Sequence, residues 1–415
     1  MNKLNFLKIA EFSFYLFAAS FLLSITLSEG AVFLMTICAA VFLTDREKRE
    51  IVINSLRQSK LFVPFSVFLI FYIFSSVFGL NFIHSISYLD SEIIKILAAF
   101  ALLSIIFFVD KEKGEIAYAI GLAAASLLGI WQFVIQNWVI ASPALYRAHG
   151  KMHAVSYSET IAIGFILSLI KYANSAKHKK FWGFVSLVSF TSFVLSFSRG
   201  PTLGLLFAML LLWILHIPSR KYISIFLGIL CIVFLSLGTV SKEFRQKIIS
   251  IPMGLYYVVQ PPAKKSIPEE NKPSRLDRTS AGRLDMWKTG IKIIKDYPIA
   301  GTGPYNVSQI FHFYHPMPVD GRYDWSDVHN LYIQKTVEYG VPGGLAFLYF
   351  LWALLRLTIK NYVKRKSDLT LWGLLSVCGF YIMMLTDSSF HLPRVAFNIY
   401  FVLAMSHYSA REFEQ

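Results

Sequence analysis

Long apolar runs alternate with short polar connections over most of this chain. Helical runs of about 17–25 apolar residues are long enough to cross a hydrocarbon layer roughly 30 Å thick. Twelve runs of this character can be read, several of them short. They begin at Ile9–Leu27, reach a ninth at Tyr222–Val240, and end with Val341–Ile359, Leu369–Thr386 and Val395–Ser409. One stretch breaks the pattern: from Ser241 to the start of the tenth run the chain is polar and rich in Arg, His, Gly and Pro. At about a hundred residues, it is too long to be a simple connector. The predicted fold class is therefore an all-α polytopic membrane protein, with about twelve transmembrane helices and a large, mostly helical loop. Residues 1–240 would hold nine spans, 241–340 the loop, and 341–415 three spans and a short tail.

Inside the loop, residues 260–277 are rich in Pro and charge, a composition that does not build a core. Ala281–Lys295 reads as an amphipathic helix with Leu284, Trp287, Ile291 and Ile294 at helical spacing. Asp327 is the expected N-cap of a helix over Val328–Tyr339. Gly340 suits its C-terminal position, and Pro342 prevents its continuation.

Composition agrees with a membrane chain: 55% of the residues are hydrophobic and 16% charged, too apolar for a soluble domain. A net charge of +15 would by itself suit nucleic acid. The cations, however, cluster in connections: Lys3 and Lys8; Arg46 through Lys60; Lys111 and Lys113; Lys177, Lys179 and Lys180; Arg220 and Lys221; Lys360 through Lys366. Every second connection is basic, which is the pattern of membrane topology, and no nucleic-acid partner is expected. That topology puts both termini in the cytoplasm. It puts the Tyr146–Gly150 loop, the Ser198–Pro201 turn, the long loop, Asp387 and Arg394 outside. Cys38, Cys231 and Cys378 each lie within an apolar run and read as small buried hydrophobes. No cleavable signal peptide and no internal repeat is evident.

Four residues on the outer side carry candidate chemistry. Arg199 stands at a tight turn between two apolar runs, either snorkelling to headgroups or presenting its planar fork to a phosphate. Arg283 near a helix start is either part of a solvated face or half of an anion site completed by the helix end. His329 falls in the first turn of the expected Val328–Tyr339 helix, either capping or packing there or acting as a base. A positive helix end would hold its ring neutral. Asp387 either orients an acceptor or pairs with an Arg; a carboxylate exposed at the interface is the alternative. The pairs His149/His153 and His312/His315 lack a third ligand at recognisable spacing, so no metal is expected.

The order of these elements is Arg147-x-x-Gly150, Ser198-Arg199-Gly200, Gly282-Arg283-Leu284-x-x-Trp287, Pro298-x-x-Gly301-x-Gly303, then His329-Asn330 followed by Gly340 and Gly343. In that order, the chain resembles the O-antigen ligase and O-antigen polymerase superfamily of bacterial inner membranes, and is most similar to the ligases. The resemblance implies that Arg199 and Arg283 bind the diphosphate of an undecaprenyl-linked glycan and that His329 is the catalytic base. Arg147, Asn330 and Asp387 are further substrate-binding candidates, Asp387 by position alone. The expected activity is inverting, cofactor-free transfer of a glycan to a lipid A-core sugar hydroxyl at the periplasmic face, among membrane lipids. A polymerase or a protein O-oligosaccharyltransferase would use the same site. A transporter of the lipid-linked glycan would instead show internal repeats and buried ionisable pairs in mid-span.

Overall fold

The computed structural model describes residues 3–140, 146–175, 178–228, 283–315 and 327–411. Every regular element among them is a helix. In order these are α1 (Lys3–Ser20), α2 (Ile25–Thr44), α3 (Arg46–Ser59), α4 (Phe62–Phe78), α5 (Phe82–Ser87), α6 (Leu89–Ile105), α7 (Lys111–Val134), α8 (Ala154–Asn174), α9 (Lys179–Leu195) and α10 (Arg199–Leu215). After a helical stretch at 220–228, the described chain resumes with α11 (Arg283–Asp296), α12 (Val307–Tyr314), α13 (Leu331–Lys364), α14 (Asp368–Met383) and α15 (Pro393–Ser409).

By length and apolarity, five described helices reach a membrane span, and a sixth if the bent pair α3–α4 counts as one. The expected count of twelve is not reached on those criteria. α10 and α14, at 17 and 16 residues, are apolar but fall short of the roughly 20 residues a straight crossing takes. The ninth run leaves the described residues after 228, and the Pro-rich part of the loop lies wholly outside them. The basic segment after α2 is a helix rather than a plain connection: Asp45 accepts from Lys48 N–H and opens α3.

α8 is the axis of the bundle, buried without interruption from Ala154 to Ile170. The bundle's outer face instead exposes large apolar side chains such as Phe62, Ile70, Leu203, Leu210 and Trp352, as lipid contact permits. At one end, Lys171 pairs with Glu115 at 2.5 Å, and Asn174 donates to Asp368 at 2.6 Å and contacts His216. Several of the basic connections gather there. The starts of α8, α10, α13 and α15 and the end of α14 therefore meet at the opposite end.

A second, smaller core sits at that opposite end, made by Met286 and Ile293 of α11, Val307 and Phe311 of α12, and Val328 and Val337. α13 is broken at Gly340, whose φ of 68° is easy for glycine and strained for other residues. A helix break orphans carbonyls, and the Pro298–Gly303 stretch satisfies them. Thr302 N–H donates to Val337 O, Gly303 N–H to Glu338 O, and Val341 N–H returns to Pro298 O. Pro342 lies in the first turn after the break, where its missing N–H costs nothing. Gly340 thus ends one helical segment as expected, and Pro342 opens the next rather than stopping the chain. Tyr305 donates to Glu92 of α6 at 2.5 Å and ties this stretch to the bundle.

Candidate active site

The polar groups at this end are brought together by three docking contacts. First, the start of α13 lies against the end of α14. Leu331 N–H reaches Met384 O and Asp387 O, both at 3.0 Å, and Tyr332 Oη donates to Tyr381 O. Second, the start of α10 abuts the same loop, with Gly200 so close that a Cβ there would stand 2.0 Å from Thr386 Oγ1. Third, α11 lies over the start of α13, with Trp287 Nε1 donating to His329 O at 3.4 Å.

Asn330, and not Asp327, is the N-cap: its Oδ1 accepts from Tyr332 and Ile333 N–H, and its Nδ2 donates to Leu385 O. Its side chain thereby holds the helix start against the loop after α14. The helix begins at Leu331, so His329 lies outside it, with φ of 50°. Asp327 Oδ1 accepts the His329 backbone N–H at 2.8 Å and also faces the ring, 3.1 Å from Nδ1. Asp387 Oδ1 stands 3.3 Å from the same nitrogen.

Two carboxylates on one ring nitrogen settle the tautomer. Nδ1 must carry a proton to meet them, which makes Nε2 the basic position. Against the expected pull of a helix end toward the neutral ring, the carboxylates act in the opposite direction. Burial opposes the imidazolium, but the hydrogen bond to Asp387 and the Asp327 charge outweigh it and raise His329 above its ordinary value. The helix end invoked for neutrality lies beyond the ring, and the two nearby carboxylates dominate it. Asp387 is correspondingly acidic: burial would raise it, but His329, Ser389 and the Ser388 backbone pull it down to about 2. Ser389 Oγ donates to Asp387 Oδ2, and Ser156 Oγ lies 2.9 Å from Ser389 Oγ.

The cations border this acid–imidazole group. Arg283 is the first residue of α11 and feels Asp387, Asp327 and Glu159. Arg199 opens α10, exposed, and Arg147 is mutually repelled by Arg199 and Arg283. Arg147 is held in place by Nε to Ser196 O at 2.6 Å and Nη2 to Ser198 Oγ at 2.7 Å. Three guanidinium groups near enough to repel one another, next to one imidazole, suit a ligand with several negative charges. In α11 the buried face is Met286, Thr289, Gly290 and Ile293, while Ile291 is exposed. The stripe read through Leu284, Trp287, Ile291 and Ile294 is therefore rotated from the true one.

Residues 184–348 match a family model described as O-antigen ligase. That stretch of the chain is therefore similar to the O-antigen ligase family. The matched span includes Arg199, Arg283, His329 and Asn330 and leaves out Arg147, Glu159 and Asp387. The match supports an O-antigen ligase- or polymerase-type glycosyltransferase in a membrane. No curated protein matches the chain.

Within the matched stretch and beside it, no group of three or more His, Cys, Asp or Glu side chains among the described residues is arranged to hold a metal ion. His149 Nε2 lies 2.6 Å from Tyr146 Oη, and His312 and His315 lie against Phe313 and Phe311. Sequence reasoning missed two site residues. Asp327 was assigned to a cap. Glu159, fully buried on α8 beside Asp387, falls inside one of the twelve apolar runs. An ionisable residue within a span was the available signal for Glu159.

Proposed function

We propose that this protein transfers a glycan from undecaprenyl diphosphate to a sugar hydroxyl of lipid A-core, on the periplasmic face of the bacterial inner membrane. The observation that carries the reading is the His329 ring, its Nδ1 facing Asp327 and Asp387, beside Arg147, Arg199 and Arg283. Nε2 of His329 takes the proton of the acceptor hydroxyl as its oxygen attacks the anomeric carbon. The bond from that carbon to the diphosphate oxygen breaks, and the diphosphate leaves with the electron pair. The two carboxylates stabilise the imidazolium that forms, while Arg199 and Arg283 meet the charge growing on the leaving group. One displacement inverts the anomeric centre. The donor's own diphosphate bond drives the reaction, so no cofactor or metal is called for.

The alternation of basic connections supports a periplasmic site, because the opposite end of the bundle carries the cationic loops. The test is purified protein in lipid, given undecaprenyl-diphosphate glycan with either lipid A-core or a second donor chain as acceptor. Product on lipid A-core is expected. Elongated donor alone would make the protein a polymerase, and neither product would remove the transferase reading.

A further inference from the structure

Glu159 lies six residues into α8, on its fully buried stretch, and is itself completely inaccessible. Neither of its carboxyl oxygens has a hydrogen-bond partner among the described residues. Its polar neighbours are the Asp387 carboxylate and the Ser389 hydroxyl, with Arg283 adding charge from α11. Ser389 cannot serve it as a donor, because its proton is committed to Asp387 Oδ2. The contact is then acceptor against acceptor. Two ionised carboxylates in such contact, in a buried site, repel strongly, and one proton relieves both the repulsion and the missing donor. Asp387 already receives the His329 Nδ1 proton and the Ser389 hydroxyl, so the negative charge has its partners there. The proton belongs on the other carboxyl.

We infer that Glu159 is a positioning residue of this site: a neutral carboxylic acid that donates its O–H to Asp387 and fixes the carboxylate that orients His329. The inference rests on the transferase reading for its catalytic consequence, though not for the protonation itself. Asp387 would then be gripped from three elements: His329 before α13, Ser389 ahead of α15, and Glu159 from the buried axis. The other charged and titratable groups around the pair are Asp327, Arg283, Arg147 and His153 at the start of α8.

Two measurements decide the matter. The first is infrared spectroscopy of the purified full-length protein in lipid, comparing wild type with Glu159→Gln. A protonated-carboxyl band present in the wild type and lost in the variant is expected. If no such band is lost, Glu159 is ionised and the inference fails, whatever the protein catalyses. The second is the pH dependence of transfer. Glutamine still offers an N–H to Asp387, so Glu159→Gln should transfer within about threefold of wild type, with the acid limb of the profile unmoved. Glu159→Leu removes the donor and should lower kcat about tenfold or more, with KM for the lipid-linked donor little changed. If Glu159 were ionised, glutamine would remove a negative charge near His329 and shift the acid limb about one unit lower, which would overturn the assignment. A Glu159→Gln protein as impaired as Glu159→Leu would overturn it as well. Absence of transfer in the wild type would remove the proposed function, while the infrared comparison would still decide the proton.

Discussion

Asp387→Asn isolates the part of the site that most depends on charge. In the native protein Asp387 Oδ1 stands 3.3 Å from His329 Nδ1. At that separation, and an effective dielectric of about 20, two unit charges attract by roughly 5 kcal/mol, an upper bound before desolvation. The net worth of a hydrogen bond to a charged group is smaller, about 1.5–3 kcal/mol, or roughly one to two pH units in the imidazole. Asp327 remains 3.1 Å from the same nitrogen in the variant, which points to the lower end. The sign follows from the base needing to be unprotonated. Transfer should rise with pH through the raised His329 value in the wild type, and the same limb should lie about one unit lower in Asp387→Asn. The plateau rate should fall by about two decades, because an amide in that place can present N–H to Nδ1 and favour the wrong tautomer. The wild-type advantage therefore widens as pH rises from the acid side. The assay is initial glycan transfer between about pH 5 and pH 9, with donor binding measured in the same preparation. An unshifted acid limb at near wild-type rate would refute the claim that Asp387 acts on His329.

His329→Ala should remain folded and bind the lipid-diphosphate donor while losing at least about two decades of transfer; loss of donor binding alone would move His329 into the anion site. Arg199→Lys keeps charge but not the fork, and Arg283→Ala keeps neither, so each should lose roughly one to two decades; normal turnover by both would end the diphosphate assignment. A cysteine at exposed Lys151, close to the site, should react with an impermeant thiol reagent in spheroplasts, and one at Lys366 should not; the reverse pattern would put the site in the cytoplasm. Transfer should survive EDTA and substitution of either pair, His149/His153 or His312/His315; chelator-sensitive activity restored by one divalent ion would reveal a metal site.

What could be read from the sequence was local, and what could not was set by contacts between distant segments. Gly340 followed by Pro342 marks a helix break whatever surrounds it, because the backbone preferences act within a few residues. The state of His329 depends instead on Asp387, 58 positions away. From position alone the ring belonged to a helix start and should have been neutral. The chain in fact caps that helix with the next residue and turns the ring toward two acids. The face of α11 was misread for a related reason. Hydrophobicity pointed to Ile291, while the inward face uses Thr289 and Gly290, the latter small enough to lie close against Val328, Ile333 and Val337.

Glu159 illustrates the same point more sharply. Ser156, Tyr157, Ser158, Glu159 and Thr160 are polar side chains at the head of what otherwise reads as a span, and their hydroxyls complicate its hydrophobic count. Tyr157 bonds Ser192 and Ala125 O, Ser158 and Thr160 bond the turn behind them, and Ser156 meets Ser389. Each of these has an account in which the helix satisfies itself or a neighbour. Glu159 alone among the five makes no hydrogen bond within the described residues, although it is the costliest of them to bury. A buried group of that kind is stable only if its charge is cancelled or its proton retained, and the nearest carboxylate, Asp387, already carries the site's negative charge. The polarity of this helix start is therefore matched to the loop before α15. Substitutions at Ser156 or Ser389 should influence transfer through Asp387 rather than through the fold of α8.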